Sequence, residues 1–205
     1  MKLIWNGHSC FTIQSEDGTL VLDPYQDGSV PGLSPLSLTA DLVLCSHEHR
    51  DHGARETVAL TGHTAAFQVD RLDAFHDDSQ GSQRGKNTIH ILSSQGLRVA
   101  HLGDLGCFPT PEQMDRLMGL DALLLPVGGY YTIDAQQAHE LVRALRPRVV
   151  VPMHYRSDSF GFDVIARLED FLALCDHVVR YDGNTLELTC DTPAQTAVLT
   201  YQAGK

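Results

Sequence analysis

The chain has 205 residues, of which 42% are hydrophobic and 20% are charged. These proportions are typical of a globular protein and exclude a disordered, collagen-like or coiled-coil chain. The 26 acidic residues outnumber the 15 basic ones, and the resulting net charge of −11 disfavours binding to nucleic acid or to an anionic membrane surface.

Hydropathy and the first residues predict a cytoplasmic protein. No apolar run reaches the roughly 20 residues that a membrane helix requires, and residues 1–7 lack the apolar segment and cleavage site of a signal peptide. Five scattered cysteines without a C-x-x-C pair argue against a disulfide framework and against a cysteine zinc site. The length favours a single domain over 1–205, and the oligomeric state stays open.

Short segments rich in β-branched and apolar residues, each bounded by turn residues, predict strands along the whole chain. These segments are residues 2–5, 10–14, 19–22, 42–46, 87–92, 97–101, 122–126, 149–152, 178–181 and 185–189.

Helices are predicted at fewer places. An N-cap threonine followed by proline and a capping-box glutamine starts one helix at Thr110. Apolar residues recur at helical spacing over 134–145, where an aspartate is the N-cap, and again over 162–175. A short helix is expected over 54–58. Strands followed by alternating strands and helices favour an α/β fold in which two mixed sheets pack face to face with helices outside.

One segment of low hydrophobicity lies between two regions that contain predicted strands or candidate ligands. Residues 77–86 are rich in serine, glutamine, glycine and aspartate. Because functional residues are often carried by such loops, the segment is predicted to be an active-site loop and not a linker.

The densest group of potential metal ligands is the heptapeptide Ser-His-Glu-His-Arg-Asp-His that ends at His52. In an extended segment His47 and His49 point to the same side, and Asp51 and His52 then turn toward a neighbouring point as the chain enters a helix. Imidazole and carboxylate groups are ligands for zinc, manganese or iron. One loop could therefore serve two metals.

Three further candidate ligands each come after a predicted apolar strand: His76, Asp104 and His154. Because strand ends can meet at one edge of the sheets, these side chains could join the loop that carries the three histidines. Gly103 beside Asp104 permits close approach of the backbone.

The spacing His47-x-His49-x-Asp51-His52 resembles the HxHxDH signature of the metallo-β-lactamase superfamily. Further segments resemble the small single-domain branch of metal-dependent hydrolases related to the L-ascorbate-6-phosphate lactonases, and together they run from residue 1 to about 156. They are Gly-His-Ser at 7–9, Leu-Asp-Pro at 22–24, Gly-Asp-Leu-Gly at 103–106, Leu-Pro-Val-Gly-Gly at 125–129 and Val-Pro-Met-His-Tyr at 151–155. The resemblance implies an αβ/βα four-layer sandwich with a metal site at one edge of its two sheets.

The resemblance also implies two sets of ligands with a bridge between them. The first metal would be held by His47, His49 and His76. The second metal would be held by Asp51, His52 and His154, with Asp104 as the bridge. His101 is the competing third ligand of the first metal; it lies three residues before the bridge and is expected to point differently.

Further residues are expected around these ligands. Asp23 would orient a metal-bound histidine through its other ring nitrogen, or make a turn with the following proline. His8 would face the site or cap the first hairpin, and His101 would stand behind the ligands. Tyr155 would donate a hydrogen bond to the substrate or pack as an ordinary amphipathic tyrosine. Arg84 and Lys86 would bind an anionic substrate or be solvated charges of a polar loop.

The resulting prediction is a metal-dependent hydrolase with two divalent metals, zinc being favoured over manganese or iron. A hydroxide held by two metals would attack a lactone, ester or phosphoester of a small, anionic metabolite, with Asp51 and Asp104 as the catalytic carboxylates. Two alternatives stay open: a metal-binding sensor or partner-binding module without turnover, and a redox iron protein of the same fold.

Overall fold

The computed structural model describes residues 1–203, whose strands form two large β-sheets and a two-stranded ribbon. Within these residues the strands are β1 (Lys2–Gly7), β2 (Cys10–Ser15), β3 (Gly18–Leu22), β4 (Leu38–Ala40), β5 (Leu42–Leu44), β6 (Val58–Leu60), β7 (Gln68–Phe75), β8 (Lys86–Ser94), β9 (Leu97–His101), β10 (Ala122–Pro126), β11 (Val149–Met153), β12 (Val178–Arg180), β13 (Thr185–Glu187) and β14 (Gln195–Val198).

Both large sheets are mixed. The five-stranded sheet has the order β13-β1-β2-β3-β5, in which β3 and β5 are parallel and the other pairs antiparallel. The seven-stranded sheet has the order β12-β14-β11-β10-β9-β8-β7, antiparallel from β7 to β9 and parallel from β9 onward. Parallel neighbours need crossover connections, and these contain the helices α1 (Pro111–Arg116), α2 (Ala135–Leu145) and α3 (Leu168–Leu172).

Alternation along β3 shows how the layers are arranged. Leu20 and Leu22 belong to the main apolar core between the two sheets, together with Ile89 and Leu124 of the opposite sheet. Val21 faces the other way, into a smaller cluster with side chains of the irregular segment 25–33 and the β4–β6 ribbon. The predicted sandwich of two mixed sheets is therefore confirmed, and its outer layer over the five-stranded sheet is built mainly from irregular chain and the ribbon.

Two helices begin where the sequence predicted. The side chain of Thr110 accepts a hydrogen bond from the backbone N–H of Gln113, and Asp134 does the same for Gln137, so both capping boxes are complete. The apolar stripe of α2 is buried in the main core. Every helix within residues 1–203 is too short or too polar to cross a membrane.

The predicted helix over 162–175 is wrong in its first half. There α3 is confined to Leu168–Leu172, because the preceding backbone pairs with other segments. The N–H of Ala166 donates to the carbonyl of Gly128 (2.7 Å), and the carbonyl of Ala166 accepts from Arg156 (3.1 Å). A chain whose backbone groups are satisfied in this way has no need of the helical bonds.

The other differences concern short or exposed elements. The expected helix over 54–58 is a 3-10 turn at Arg55–Thr57 that leads directly into β6. All ten predicted strands are present with small shifts at their ends, whereas β4, β6, β7 and β14 were not among them. β7 is an edge strand with alternating exposed residues, several of them charged, a composition that protects edges and hides the strand pattern.

Candidate metal centre

Potential ligands from four strand ends meet at one edge of the sandwich. The segment from His47 to His52 comes after β5, and His76 directly follows β7. Asp104 comes three residues after the end of β9, and His154 directly follows β11. Residues that are far apart in the sequence therefore lie in one place, as the strand-end pattern predicted.

Two groups of ligand atoms can be distinguished there. What we call the open cluster consists of three imidazoles whose ligand atoms lie within 4.8 Å of one another: His47, His49 and His76. What we call the closed cluster has four members that meet the same distance limit: His8, Asp51, His52 and His154. His49 is exposed, whereas the three imidazoles of the closed cluster are at most 1% exposed.

Asp104 lies between the two clusters and contacts both. Its Oδ2 atom is 3.2 Å from His76 Nε2 and 3.9 Å from His47 Nε2 in the open cluster. The same atom is 3.3 Å from His154 Nε2 in the closed cluster, and Oδ1 is 3.2 Å from His52 Nε2. This is the position in which one carboxylate can be shared by two metals.

A tight backbone turn places Asp104 there. Gly103 has a positive φ of 54°, and an added Cβ would lie 2.3 Å from Asn87 Oδ1 and 2.4 Å from Ser46 Cβ. The Asn87 side chain accepts a hydrogen bond from the N–H of Asp104 (3.0 Å) and donates one to the carbonyl of Leu102 (2.9 Å). Only glycine fits in this turn, and the asparagine fixes the turn at both ends.

Asp23 orients one imidazole of each cluster. His52 Nδ1 donates to Asp23 Oδ2 at 2.8 Å. The Ser46 hydroxyl donates to the same oxygen at 2.5 Å and accepts from His47 Nδ1 at 2.9 Å. Because the Nδ1 atom of each ring is used as a donor, the Nε2 lone pair of each points away from the aspartate toward Asp104, as in metal-bound histidines generally.

His76 and His101 differ in what their ring nitrogens contact. His76 Nδ1 donates to the carbonyl of Tyr131 at 3.1 Å, which leaves Nε2 for the open cluster. His101 Nε2 donates to the carbonyl of Ser9 at 2.8 Å, and its Nδ1 accepts from the N–H of Gly103 at 3.2 Å. Both nitrogens of His101 are therefore engaged behind the site, next to Asp23.

The remaining atoms fit a metal. Within residues 1–203, five buried ligand atoms have no partner with hydrogen-bond geometry: His8 Nε2, His47 Nε2, His52 Nε2, His154 Nε2 and Asp104 Oδ1. A buried polar group without a partner costs about 1–3 kcal/mol, and several such groups pointing into one space are expected where a cation binds. Imidazole and carboxylate donors are those that zinc, manganese and iron accept.

Electrostatics favour the ligating forms of most of these groups. Burial lowers the pKa of His47 to about 3 and that of His8 to about 4, so both rings are neutral at pH 7. Burial raises the pKa of Asp104, but His154 and His52 outweigh it and hold this pKa well below the usual range. Burial lowers the pKa of His52, but Asp104 and Asp51 outweigh it and raise this pKa well above 6.5. A metal must therefore displace a proton from His52.

A cavity of about 410 Å³ opens directly over the site. This volume is within the range of small-molecule sites. Its lining combines potential ligands with two arginines and two aromatic rings: Gly28, Ser29, His49, Arg50, Asp51, His76, Arg84, Asp104, Tyr131 and Phe162.

One residue of the polar segment 77–86, Arg84, lines this cavity. Asp77 organises the loop by accepting hydrogen bonds from four backbone N–H groups between residues 79 and 84. The Arg84 guanidinium then lies 5.5 Å from the ring centre of Tyr131 and 5.9 Å from that of Tyr130. Arg84 is thus held at the cavity wall, and together with Lys86 it also lines a second cavity beside His47 and His49.

His8 and Tyr155, which were both expected near the site, lie in different environments. His8 belongs to the closed cluster, with Nε2 3.4 Å from Asp51 Oδ2. Of the two expectations for Tyr155, packing is the one that the structure shows: the residue is 5% exposed, and its ring packs against Trp5 (5.5 Å between ring centres) and Phe160. The tyrosine stabilises the core behind His154 and does not line the cavity.

Backbone strain is concentrated at this edge. His8, Asp23 and His154 have φ values of 51°, 45° and 53°, in the left-handed region that favours glycine. Each such residue costs about 1–3 kcal/mol and persists where its surroundings fix it. All three side chains point into the site.

Sequence reasoning did not identify Ser46 as the link between Asp23 and His47, or Asn87 as the residue that fixes Asp104. It also did not identify Tyr131 and Phe162 as cavity walls. Serine directly before a histidine motif and asparagine at the start of a strand are too common to be signals, and their roles depend on contacts between distant segments.

Comparison with known proteins gives the family. The sequence profile of the β-lactamase superfamily domain matches residues 2–154. A UPF0173 metal-dependent hydrolase of Thermoplasma acidophilum is 31% identical over 214 aligned positions, covering 88% of this chain and 93% of the relative.

Solved structures agree with this assignment. A crystal structure from Thermotoga maritima, ascribed to a Zn-dependent hydrolase of the metallo-β-lactamase superfamily, is 33% identical, with a TM-score of 0.79 over 98% of this chain and 99% of that one. A metallo hydrolase of Ignicoccus hospitalis, 23% identical over 92% of this chain and 99% of that one, shares the fold with a TM-score of 0.65. The chain therefore belongs to the metallo-β-lactamase superfamily and is a member of its UPF0173 metal-dependent hydrolases.

Proposed function

We propose that this hydrolase uses two divalent metals to cleave a lactone, ester or phosphoester of a small, anionic metabolite. One observation carries the proposal: two clusters of ligand atoms lie within reach of the single carboxylate of Asp104, at the floor of a cavity of about 410 Å³. A single structural metal would need only one cluster and no cavity above it.

The residues divide into two ligand sets. His47, His49 and His76 would hold one metal, and Asp51, His52 and His154 the other, with Asp104 shared. When bound, two such metals supply a water of lowered pKa and a Lewis acid that polarises the scissile oxygen. Asp23 fixes the rings of His52 and His47 through Nδ1, so these ligands need no reorganisation when a metal binds.

The carboxylates have distinct tasks in this proposal. Asp104 keeps its negative charge at neutral pH because two imidazoles face it. It can therefore serve as an anionic ligand shared by the two clusters and accept a hydrogen bond from the attacking water. Asp51 is partly exposed and lines the cavity, so its charge acts at the boundary between the site and the substrate.

The cavity wall favours an anionic substrate with an apolar part. Arg50 and Arg84 line the cavity together with two aromatic residues, Tyr131 and Phe162. Arginine binds carboxylate and phosphate groups through paired hydrogen bonds. The net charge of −11 further favours a small molecule over a nucleic acid.

Zinc is the metal we favour. The ligands are mostly imidazoles, which suit zinc, and the related structure from Thermotoga maritima is ascribed to a Zn-dependent enzyme. Manganese and iron are compatible with the same ligands, so the metal has to be measured.

The test is elemental analysis of protein purified without chelator, followed by hydrolysis assays on generic lactones, esters and bis(p-nitrophenyl) phosphate. We expect about two transition metal ions per chain and turnover that chelator abolishes and added metal restores. Tightly bound metal with no turnover on any substrate would favour the sensor or partner-binding alternative. Turnover unaffected by chelator would contradict the proposal.

A further inference from the structure

His8 lies in the turn between β1 and β2, in a conformation that suits glycine better than histidine. Its φ is 51°, and its backbone is fixed from two sides. The carbonyl of His8 accepts a hydrogen bond from Trp5 Nε1 (2.9 Å) and one from the N–H of His154 (3.3 Å). The turn is thereby tied to the end of β11, which places the His8 side chain next to that of His154.

The imidazole of His8 is buried and unsatisfied. It is 1% exposed, and neither Nδ1 nor Nε2 has a hydrogen-bond partner among residues 1–203. Its ring centre lies 4.2 Å from that of His154 and 5.2 Å from that of His52. A histidine with a merely structural role would be expected to use at least one ring nitrogen.

Contact with Asp51 does not explain this arrangement. His8 Nε2 is 3.4 Å from Asp51 Oδ2, long for a charge-assisted hydrogen bond, which is usually about 2.7–2.9 Å. The ligand atoms of His8, Asp51, His52 and His154 form one set within 4.8 Å. Three imidazoles and a carboxylate around a buried space are what a cation would join.

We propose that His8 is a direct ligand of the metal held by Asp51, His52 and His154. The inference rests on the proposed two-metal function and adds to it. The closed cluster then has four side-chain donors and the open cluster three, in addition to the shared Asp104. A metal with more protein donors has fewer positions for other molecules, so the substrate binds at the metal of the open cluster, which also faces the cavity.

The experiment compares His8→Gln with a matched variant, His90→Gln. Glutamine can still donate a hydrogen bond toward Asp51, but its amide is a poor ligand for a transition metal. His90 is another buried histidine (2% exposed) whose Nδ1 has no partner in the described chain, and it belongs to neither cluster. Zinc affinity at both sites is measured by competition with a chelating dye.

We expect His8→Gln to retain one tight site and to weaken the other by more than about 100-fold, since loss of a residue behind the ligands typically costs only 10–100-fold. His90→Gln is expected to keep both affinities. A crystal structure of the zinc-loaded wild type should place His8 Nε2 about 2.0–2.1 Å from a metal.

Wild-type affinity at both sites in His8→Gln, or a zinc-loaded structure with His8 Nε2 beyond bonding distance, would overturn the inference. His154→Ala separates this failure from that of the proposed function. If His154→Ala loses one metal while His8→Gln does not, only the role of His8 is wrong. If neither variant loses a metal, the two-metal site is wrong as well.

Discussion

The open and closed clusters lie side by side around Asp104, yet they differ in solvent exposure and in their contact with the cavity. Two of the three open-cluster side chains, His49 and His76, line the cavity, and His49 is exposed. In the closed cluster only Asp51 reaches the cavity, and the imidazoles are buried with unpartnered Nε2 atoms. If the proposed function is correct, this difference predicts a division of labour in which the metal of the open cluster would meet the substrate and that of the closed cluster would be enclosed by protein.

The largest effect is expected from neutralising the group that the clusters share. Asp104→Asn should lower kcat by about 1,000-fold, several kcal/mol, with a smaller change in KM, because the carboxylate acts on the water and on charge that develops in the transition state. Steady-state kinetics at saturating metal measures this. Asp134→Asn is the matched control, since asparagine is an equally good helix N-cap. A near-wild-type kcat in Asp104→Asn would show that Asp104 only stabilises its turn and does not act in catalysis.

Removing the exposed ligand, His49, should distinguish the contributions of the two clusters to metal binding. His49 makes no side-chain hydrogen bond within residues 1–203, so His49→Ala removes a ligand without disturbing a network. We expect about one metal ion per chain in place of two, loss of turnover and an unchanged melting temperature in chelator. Full metal content in this variant would mean that the open cluster is not a metal site.

The metal-free protein should lose stability in mild acid. Burial lowers the pKa of His8 and of His90 to about 4 and that of His47 to about 3. Below pH 6.5 the unfolded chain binds protons that these rings do not, so the free energy of unfolding falls as the pH falls. For His90 alone the loss by pH 4 is about 2–3 kcal/mol.

Burial also lowers the pKa values of His76 and His101, which add to this loss, whereas His52 and Asp104 act outside that pH range. The pKa of His52 is raised, so its stabilising contribution is complete below pH 6.5 and is lost only as the pH rises. The lowered pKa of Asp104 acts below about pH 4. Urea unfolding at pH 7 and pH 4 tests the prediction: His90→Gln should show a smaller loss than the wild type, and an equal loss would contradict it.

Asp23 should matter for both clusters, and Ser46 for one. Asp23→Asn disturbs the rings of His52 and His47, and we expect weaker metal binding at both sites by about 10–100-fold. Ser46→Ala breaks only the link to His47 and should weaken only the open site. Dye competition on the two variants measures this, and equal effects of Ser46→Ala on both sites would show that the link does not act as described.

The smallest effect concerns substrate binding at the open side. Arg84→Gln should raise KM for an anionic substrate about tenfold with little change in kcat, because a charge-assisted hydrogen bond of this kind contributes about 1.5–3 kcal/mol at most. Arg71→Gln, at an exposed arginine of β7 outside the cavity lining, should leave KM unchanged. A neutral substrate analogue that is equally affected by Arg84→Gln would argue against charge recognition.

Much of the fold could be predicted because local patterns carry it. The strand segments alternate between apolar and polar residues or are uniformly apolar. Each helix cap, at Thr110 and at Asp134, can be recognised from four consecutive residues. The elements that were missed are stabilised by distant partners: β4 and β6 pair only with each other, and the 162–167 segment bonds to Gly128 and Arg156. A local pattern contains no information on such pairings.

The candidate site divides in the same way. The spacing of residues 47–52 is enough to predict metal ligands there. His76, Asp104 and His154 could be predicted because each follows a strand. For His8 the sequence left two alternatives, facing the site or capping the first hairpin. It could not choose between them, because nothing in residues 7–10 indicates that this turn meets a strand end 146 residues later in the chain, as its bond to His154 requires. The same limit applies to Arg84, whose orientation depends on the rings of Tyr130 and Tyr131.

The left-handed backbone at His8, Asp23 and His154 has a consequence for laboratory evolution of this enzyme. Glycine would relax each of these positions, and without metal the buried side chains of His8 and His154 have unpartnered nitrogens in the described chain. A library selected only for heat resistance in the presence of chelator should therefore enrich glycine at positions 8 and 154, whereas Asp23 is retained by the hydrogen bonds that it accepts from Ser46 and His52. The selected variants would be more heat-resistant but catalytically inactive. Selection for stability therefore has to be carried out with metal and substrate present.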